Sequence, residues 1–210
     1  MRPLPRLFAV TDTAVCRAPD FGIKVAAIAA AGPPVAVVVR APEATAAERT
    51  AWLDRVRSLT EPPEASTFAH GDPALAAVAR TQGLQLRGSD LSPREARTVF
   101  PRGWIGVSVH SSEEGKRAID EGADYLVAGN VYETASHPGR PARGLDWLKG
   151  LVALGTPVVA IGGVDPDRAL AVWQTGAWGV AAISALFSSK DPAKVAAQLL
   201  EPWSAAVGDG

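Results

Sequence analysis

Two short segments in the last third of the chain have the residue types of an anion-binding site. The apolar run 158–161 ends in Gly162 and Gly163, and the apolar run that ends at Ile183 is followed by Ser184. Glycines at a strand end let backbone N–H groups approach an anion, and the N–H groups of a helical turn can donate to the same anion. A lone Gly-Gly pair is more often a plain tight turn, but its pairing with the serine segment predicts that these four residues bind one phosphate group.

The segment 129–143 is the second candidate for chemistry. Its polar and charged residues include Asn130, Glu133, Thr134, Ser136, His137, Arg140 and Arg143. A connection of this length in a compact domain is more often a functional lid than a linker, because most such loops are short. We expect it to close over a bound ligand, although Arg140 fits a solvated surface position equally well.

The elements that must position these residues follow from an alternation of short apolar runs with longer segments of helical period. This alternation indicates βα units around a parallel sheet. Eight strands are predicted, at 7–11, 35–40, 66–69, 84–86, 104–107, 125–128, 158–161 and 179–183. Eight such units predict an α/β fold, a single-domain (β/α)8 TIM barrel over residues 1–210. The fourth strand is weak, which leaves a doubly wound open sheet as the alternative.

Several helix starts carry the residues that cap or begin helices. Such starts are predicted at Ser92, at Ser111 or Ser112, and at Asp165, with a first helix near 21–31 and a last helix at about 191–205. In a (β/α)8 barrel the active site lies at the C-terminal ends of the strands, and phosphate commonly binds after strands seven and eight. The predicted phosphate site lies at these two strand ends.

Composition and charge argue against several classes of function. The net charge is −1, with 21 basic and 22 acidic residues and no cluster of basic side chains, so nucleic-acid binding is not expected. The single cysteine, Cys16, cannot form an intramolecular disulfide and fits a small buried residue. No signal peptide is recognisable, and no apolar run reaches the roughly 18–20 residues of a membrane span. We therefore expect a soluble, cytoplasmic protein without membrane contact.

Four ordered motifs in the second half of the chain make it similar to one protein family. They are IGVSVHS at 105–111, ADYLVAG at 123–129, VYET at 131–134 and PVVAIGG at 157–163. With these motifs, and with LFAVTD at 7–12, the chain resembles the thiamin phosphate synthase and TenI family over residues 7–187. The resemblance implies a small phosphorylated thiazole as ligand and a homodimer as the assembly.

The synthases of this family join an aminopyrimidine diphosphate to a thiazole phosphate with magnesium, and the chain departs from their pattern. Of the Gln-x-Arg-x-Lys set after the second strand, only Arg40 remains. The Asn-Asp pair after the third strand is replaced by His70 and Gly71, so Asp90 is the one match to a magnesium aspartate. Octahedral Mg²⁺ would lose both carboxylate and phosphate partners. The resemblance therefore predicts no cofactor, with Mg²⁺ on Asp90 only if the chain is synthase-like.

The TenI-type proteins, thiazole tautomerases that aromatise a thiazole phosphate carboxylate, are the closer match in these motifs. Their proton-transferring histidine after the sixth strand is here Asn130, and an amide cannot exchange a proton near neutral pH. Glu133 would serve as a base if burial raised its pKa. The candidate catalytic residues are Asn130, Glu133, His70 and His137. The resemblance adds Arg40, Ser108 and Thr134 to the residues that bind substrate or phosphate.

Three functions stay open on this basis. The first is an isomerase that binds a thiazole phosphate carboxylate and shifts a proton in its ring. The second is a transferase that makes thiamin phosphate, an activity that the missing diphosphate and metal ligands argue against. The third is a TenI-like ligand-binding or regulatory protein without catalysis. We expect the first.

Overall fold

The computed structural model describes residues 2–134, 139 and 141–204. Eight parallel strands pair in sequence order, and β8 pairs with β1, so the sheet is a closed barrel. The predicted (β/α)8 barrel is confirmed, and the open doubly wound sheet is excluded. The strands are β1 (Leu7–Val10), β2 (Val35–Val39), β3 (Ser66–His70), β4 (Gly83–Leu86), β5 (Trp104–Val109), β6 (Tyr125–Ala128), β7 (Val158–Ile161) and β8 (Gly179–Ala182).

The strand ends differ from the predicted ones by at most two residues. β3 and β5 run on through polar residues, because His70 pairs with Gln85 and Ser108 pairs with Val127 in the ladders. The end of the apolar run does not mark the end of either strand, because the hydrogen bonds of the ladder continue into the polar residues that follow. β1, β2 and β8 each end one residue earlier than predicted, before Thr11, Arg40 and Ile183.

The helices lie between the strands along the chain, as βα units require. They are α1 (Thr13–Arg17), α2 (Phe21–Ala29), α3 (Ala46–Thr60), α4 (Pro73–Val78), α5 (Pro93–Val99), α6 (Ser112–Asp120), α7 (Gly144–Val152), α8 (Pro166–Trp173), α9 (Ser184–Phe187) and α10 (Pro192–Ser204). Ser92, Ser111 and Asp165 cap their helices through side-chain oxygens, as predicted. The short α1 was not predicted; Asp12 caps it by accepting from the Val15 N–H.

The interior of the barrel is filled by aromatic rings. Phe8 lies 5.5 Å from Phe68 and 5.4 Å from Tyr125 between ring centroids, and edge or tilted contacts of this kind contribute about 0.5–1.5 kcal/mol each. The space for these rings comes from two glycines. A Cβ on Gly83 would lie 2.2 Å from a Phe68 ring carbon, and a Cβ on Gly106 would lie 2.1 Å from the Tyr125 ring.

These two glycines also show which side chains face the mouth of the barrel. Because side chains alternate along a strand, Gln85 faces inward two residues after Gly83, and Ser108 faces inward two residues after Gly106. The alternate residues, such as Leu84 and Leu86, belong to the larger apolar core that includes buried helix residues. The inward alternation thus carries polar side chains to the C-terminal ends of β4 and β5.

Two further sequence expectations can be compared with the structure. Cys16 is buried, and its thiol donates to the Thr11 hydroxyl at 3.3 Å; burial raises the pKa of this thiol to about 11. Among the described residues, no helix combines the length and the apolar composition that a membrane crossing requires.

Candidate active site

The two glycines after β7 allow the segment that follows β6 to pack against the end of β7. Both have positive φ, +96° at Gly162 and +66° at Gly163, a region that favours glycine. A Cβ on Gly162 would lie 2.5 Å from the Asn130 Cβ, and a Cβ on Gly163 would lie 2.4 Å from the Glu133 carbonyl oxygen. The Gly-Gly pair therefore serves the packing of this loop, and it brings Asn130 and Glu133 to the end of β7.

Backbone donors remain available at this end of the barrel. Ile183 is the N-cap residue of α9 and makes no side-chain cap, and the first N–H groups of a helix have no acceptor within the helix. Within residues 2–134, 139 and 141–204, the N–H groups of Gly163, Ser184 and Ala185 donate to no backbone carbonyl outside the regular elements. A positive charge lies close by, because the Arg168 guanidinium donates to the Gly163 carbonyl at 2.6 Å. Three N–H donors and one nearby cation suit an oxyanion.

Asn130 is held within its own loop. It is 9% exposed, its side-chain Nδ2 donates to the Tyr132 carbonyl at 3.1 Å, and its own carbonyl accepts from the Arg143 N–H at 3.1 Å. The neighbouring strand end is fixed as well, since the His110 Nδ1 lies 2.7 Å from the Gly129 carbonyl oxygen. Asn130 thus lies just after the C-terminal end of β6, and its amide takes part in organising the loop.

The other candidate residues of the loop after β6 are less buried than Asn130 or lie outside the described residues. Glu133 is exposed, so the burial that a base role would require is not present in this conformation. Thr134 is half-buried at the end of the described part of the loop. His137, together with Ser136 and Arg140, lies outside the described residues, and their roles in the predicted lid stay predictions.

Arg40, His70 and Asp90 form a second group on another side of the mouth. They follow or end β2, β3 and β4, which in the closed order of strands lie across the barrel from β6, β7 and β8. Desolvation by burial, and then the Arg40 guanidinium, lower the pKa of His70 to about 4, whereas Asp90 acts in the opposite direction. The His70 imidazole is therefore neutral near neutral pH. The predicted site residues thus divide into two groups that face each other.

Asp90 is occupied by Arg87, a residue that sequence reasoning missed. The Asp90 Oδ1 accepts from Arg87 Nη2 at 2.8 Å and from Arg87 Nε at 3.0 Å, and the Asp90 Oδ2 accepts from the Arg87 backbone N–H at 2.8 Å. The Asp90 side chain is 7% exposed, and the Arg87 side chain is 58% exposed. The arginine thus neutralises the one carboxylate that matches a magnesium ligand.

Magnesium does not fit the residues present at this position. Mg²⁺ in proteins is held by carboxylates together with phosphates and waters. Here the Asp90 carboxylate is engaged by a guanidinium, and the neighbouring position is Gly71, from which a Cβ would lie 3.5 Å from the Asp90 Oδ2. Across the part of the chain that the structure describes, no three His, Cys, Asp or Glu side chains are grouped as metal ligands.

Ser108 and Gln85 lie between the two groups. The Gln85 Nε2 donates to the Ser108 hydroxyl and to the Leu86 carbonyl, both at 3.0 Å. The Gln85 Oε1 is buried without a hydrogen-bond partner among the described residues. The signal that would have found Gln85 is the two-residue alternation that begins at Gly83, which directs it into the mouth of the barrel.

Comparison with known proteins agrees with the fold and the motifs. The family model described as thiamine monophosphate synthase matches residues 7–186. The chain belongs to this family. A thiamine-phosphate synthase of Thermus thermophilus is 37% identical over 175 residues, covering 82% of this chain and 84% of the relative. A thiamine-phosphate synthase of Marinobacter nauticus is 34% identical over 188 residues, covering 89% of this chain and 84% of the relative.

A solved structure extends the similarity to three dimensions. A thiamine phosphate pyrophosphorylase from Pyrococcus furiosus superposes with a TM-score of 0.83 at 30% identity, and the alignment covers 97% of each chain. The predicted family is therefore confirmed. The relatives from Thermus thermophilus and Marinobacter nauticus are named as synthases and not as tautomerases, so the comparisons favour the transferase alternative over the isomerase that the motifs favoured.

Proposed function

We propose that this chain is an enzyme of thiamin biosynthesis that binds a thiazole phosphate in the mouth of its barrel, with the phosphate between the ends of β7 and β8. The observation that carries this proposal is that the Gly163, Ser184 and Ala185 N–H groups, which follow the adjacent paired strands β7 and β8, have no acceptor of their own in the described structure. Such donors bind a phosphate through charge-assisted hydrogen bonds.

The first candidate reaction is the joining of this thiazole phosphate to an aminopyrimidine diphosphate, as in the relatives named thiamine-phosphate synthase. In that reaction the thiazole nitrogen forms a bond to the pyrimidine methylene carbon while the bond from that carbon to the diphosphate oxygen breaks. The chain's own contribution would be to hold the two reactants in line and to stabilise the charge on the departing diphosphate. Arg40 lies across the mouth from the phosphate site, where it would face the leaving group.

The second candidate is the aromatising proton shift of a thiazole phosphate carboxylate. The observation that favours it is the engagement of Asp90 by Arg87, because a proton shift needs no metal-bound diphosphate. In this reaction the neutral His70 imidazole, which lies at the mouth of the barrel, would accept the proton.

One pair of assays distinguishes the two reactions. Thiamin phosphate formation is measured from both substrates, and the ultraviolet spectrum of the non-aromatic thiazole phosphate carboxylate is followed in parallel. Product formed at a rate well above the uncatalysed reaction supports the first candidate, and a spectral change without it supports the second. Failure of both, with no thiazole phosphate bound in calorimetry, would refute the proposed function.

A further inference from the structure

The side of the mouth formed by β2, β3 and β4 carries more positive than negative charge. The arginines at 40, 49 and 87 all lower the pKa of His70, after the larger effect of desolvation, so all three guanidinium groups lie within electrostatic range of one imidazole. Only Asp90 among the groups that act on His70 is negative. Arg49 is partly balanced by Asp72 at 4.0 Å. The imidazole itself is neutral near neutral pH and adds no charge, so a net positive charge remains on this side of the mouth.

The Arg87 guanidinium retains free donors. It uses its Nε and Nη2 on Asp90, and its Nη1 donates to nothing in the described part of the chain. A guanidinium has five N–H donors in a planar fork, so an arginine bound to a carboxylate on one edge can still donate from another. The Arg40 guanidinium likewise makes no hydrogen bond with any described residue; Arg40 bonds to the Thr11 hydroxyl through its backbone N–H and carbonyl.

We infer that Arg87 takes the place of a divalent cation beside Asp90, so that this side of the mouth binds a diphosphate group without metal. The statement that this diphosphate belongs to a substrate rests on the proposed function. The Asp90 carboxylate holds the guanidinium through Nε and Nη2, which leaves Nη1 of the largely exposed Arg87 side chain to donate to an anion. The Arg40 guanidinium, which also acts on His70, would supply further donors to the same anion. A fixed guanidinium provides the positive charge and the directional donors that an oxyanion requires.

The test uses the full-length chain and inorganic pyrophosphate as the probe, with binding measured by calorimetry in EDTA and again in Mg²⁺. We expect wild type to bind pyrophosphate in EDTA, with no gain in affinity from Mg²⁺. Arg87→Met removes the cation and exposes the Asp90 carboxylate to the anion, so its affinity in EDTA should fall about 10- to 100-fold, a loss that corresponds to one charge-assisted contact. Mg²⁺ should restore part of that affinity.

Two further variants keep the result interpretable. Asp90→Asn retains an oxygen that can accept from the Arg87 backbone N–H but removes the negative charge, so its affinity in EDTA should be at least that of wild type. Arg102→Met is the matched control, because this exposed arginine precedes β5 and therefore lies at the opposite end of the barrel. Circular dichroism establishes that each variant is folded.

Every outcome decides the inference. No pyrophosphate bound by wild type in EDTA, or binding that requires Mg²⁺, would overturn it, as would equal affinity in wild type and Arg87→Met. Gly163→Asp separates this inference from the proposed function, since it alters the phosphate site after β7 and leaves the arginines in place. Pyrophosphate binding that is lost in Gly163→Asp but kept in Arg87→Met would mean that the probe occupies the other site, and the inference fails. If Gly163→Asp loses only thiazole phosphate binding and still binds pyrophosphate, the result supports the inference.

Discussion

Replacing Gly163 by aspartate or by asparagine separates the shape of this position from its charge. Both side chains introduce a Cβ that would lie 2.4 Å from the Glu133 carbonyl oxygen, at a backbone φ of +66°. The positive φ alone costs about 1–3 kcal/mol, and the close contact with the Glu133 backbone adds to this cost, so both variants should lose similar stability, with a Tm lowered by roughly 2–4 °C for each kcal/mol. The two side chains have nearly the same volume, and only the aspartate is charged.

The charge difference should appear in binding. A phosphate held by the Gly163 N–H would lie within about 5 Å of the carboxylate that Gly163→Asp introduces, where two unit charges repel by about 3 kcal/mol at an effective dielectric constant of about 20. Partial exposure to water reduces this value, so we expect Gly163→Asp to bind thiazole phosphate about 5- to 150-fold more weakly than Gly163→Asn, which corresponds to roughly 1–3 kcal/mol. Calorimetry below the Tm of both variants measures the ratio. Equal affinities would show that no phosphate lies against Gly163.

Three further predictions concern single side chains. Asn130→His restores an imidazole to the place where the tautomerases of the family carry their histidine, so it should raise the rate of thiazole aromatisation by roughly 10²- to 10⁴-fold; an unchanged rate would place the base elsewhere. Tyr125→Phe removes a fully buried hydroxyl without a partner among the described residues, and it should raise the free energy of unfolding by about 1–3 kcal/mol, whereas a lowered Tm would indicate a partner such as ordered water. His70 has a folded-state pKa of about 4 against the usual 6.5, so the unfolded chain takes up its proton first and stability falls as pH falls between these values. The loss from this group is about 2 kcal/mol at pH 5, and His70→Gln should remove most of it in thermal melts at pH 7 and pH 5.

The fold could be predicted from the sequence because its signals are local. Runs such as 35–39 and 158–161 are apolar on both faces, which is the pattern of a strand covered by helices outside and side chains inside the barrel. Helix starts were equally visible, since Ser92 and Asp165 act within three residues of the N–H groups they cap. The strand ends were less certain because His70 and Ser108 pair in the ladder although they are polar.

The candidate site was predictable only in part, because its partners are set by the closure of the barrel. The glycines after β7 were found from their position, but their contact with Asn130 and Glu133 depends on how the loop after β6 packs. The engagement of Asp90 by Arg87 is a three-residue contact within one turn, yet Arg87 carries no family signal in the sequence. The match to a magnesium-binding aspartate therefore identified the residue type at Asp90, but it did not reveal that an arginine already neutralises this carboxylate.

The division of the mouth limits what the ligand can be. Donors without acceptors lie at the ends of β7 and β8, and guanidinium groups lie across the barrel at the ends of β2 and β4. One small ligand with a single phosphate would leave the arginines on the opposite side of the mouth without an anion, and the repulsion between these guanidinium groups would remain uncompensated. Either two anionic substrates occupy the mouth together, as the joining reaction requires, or one ligand carries a phosphate and a carboxylate at opposite ends, as the proton shift requires. Both candidate reactions therefore satisfy the electrostatics of the mouth. The anion that binds to the arginines, opposite the phosphate site, decides between them: a diphosphate indicates the joining reaction, and a carboxylate indicates the proton shift.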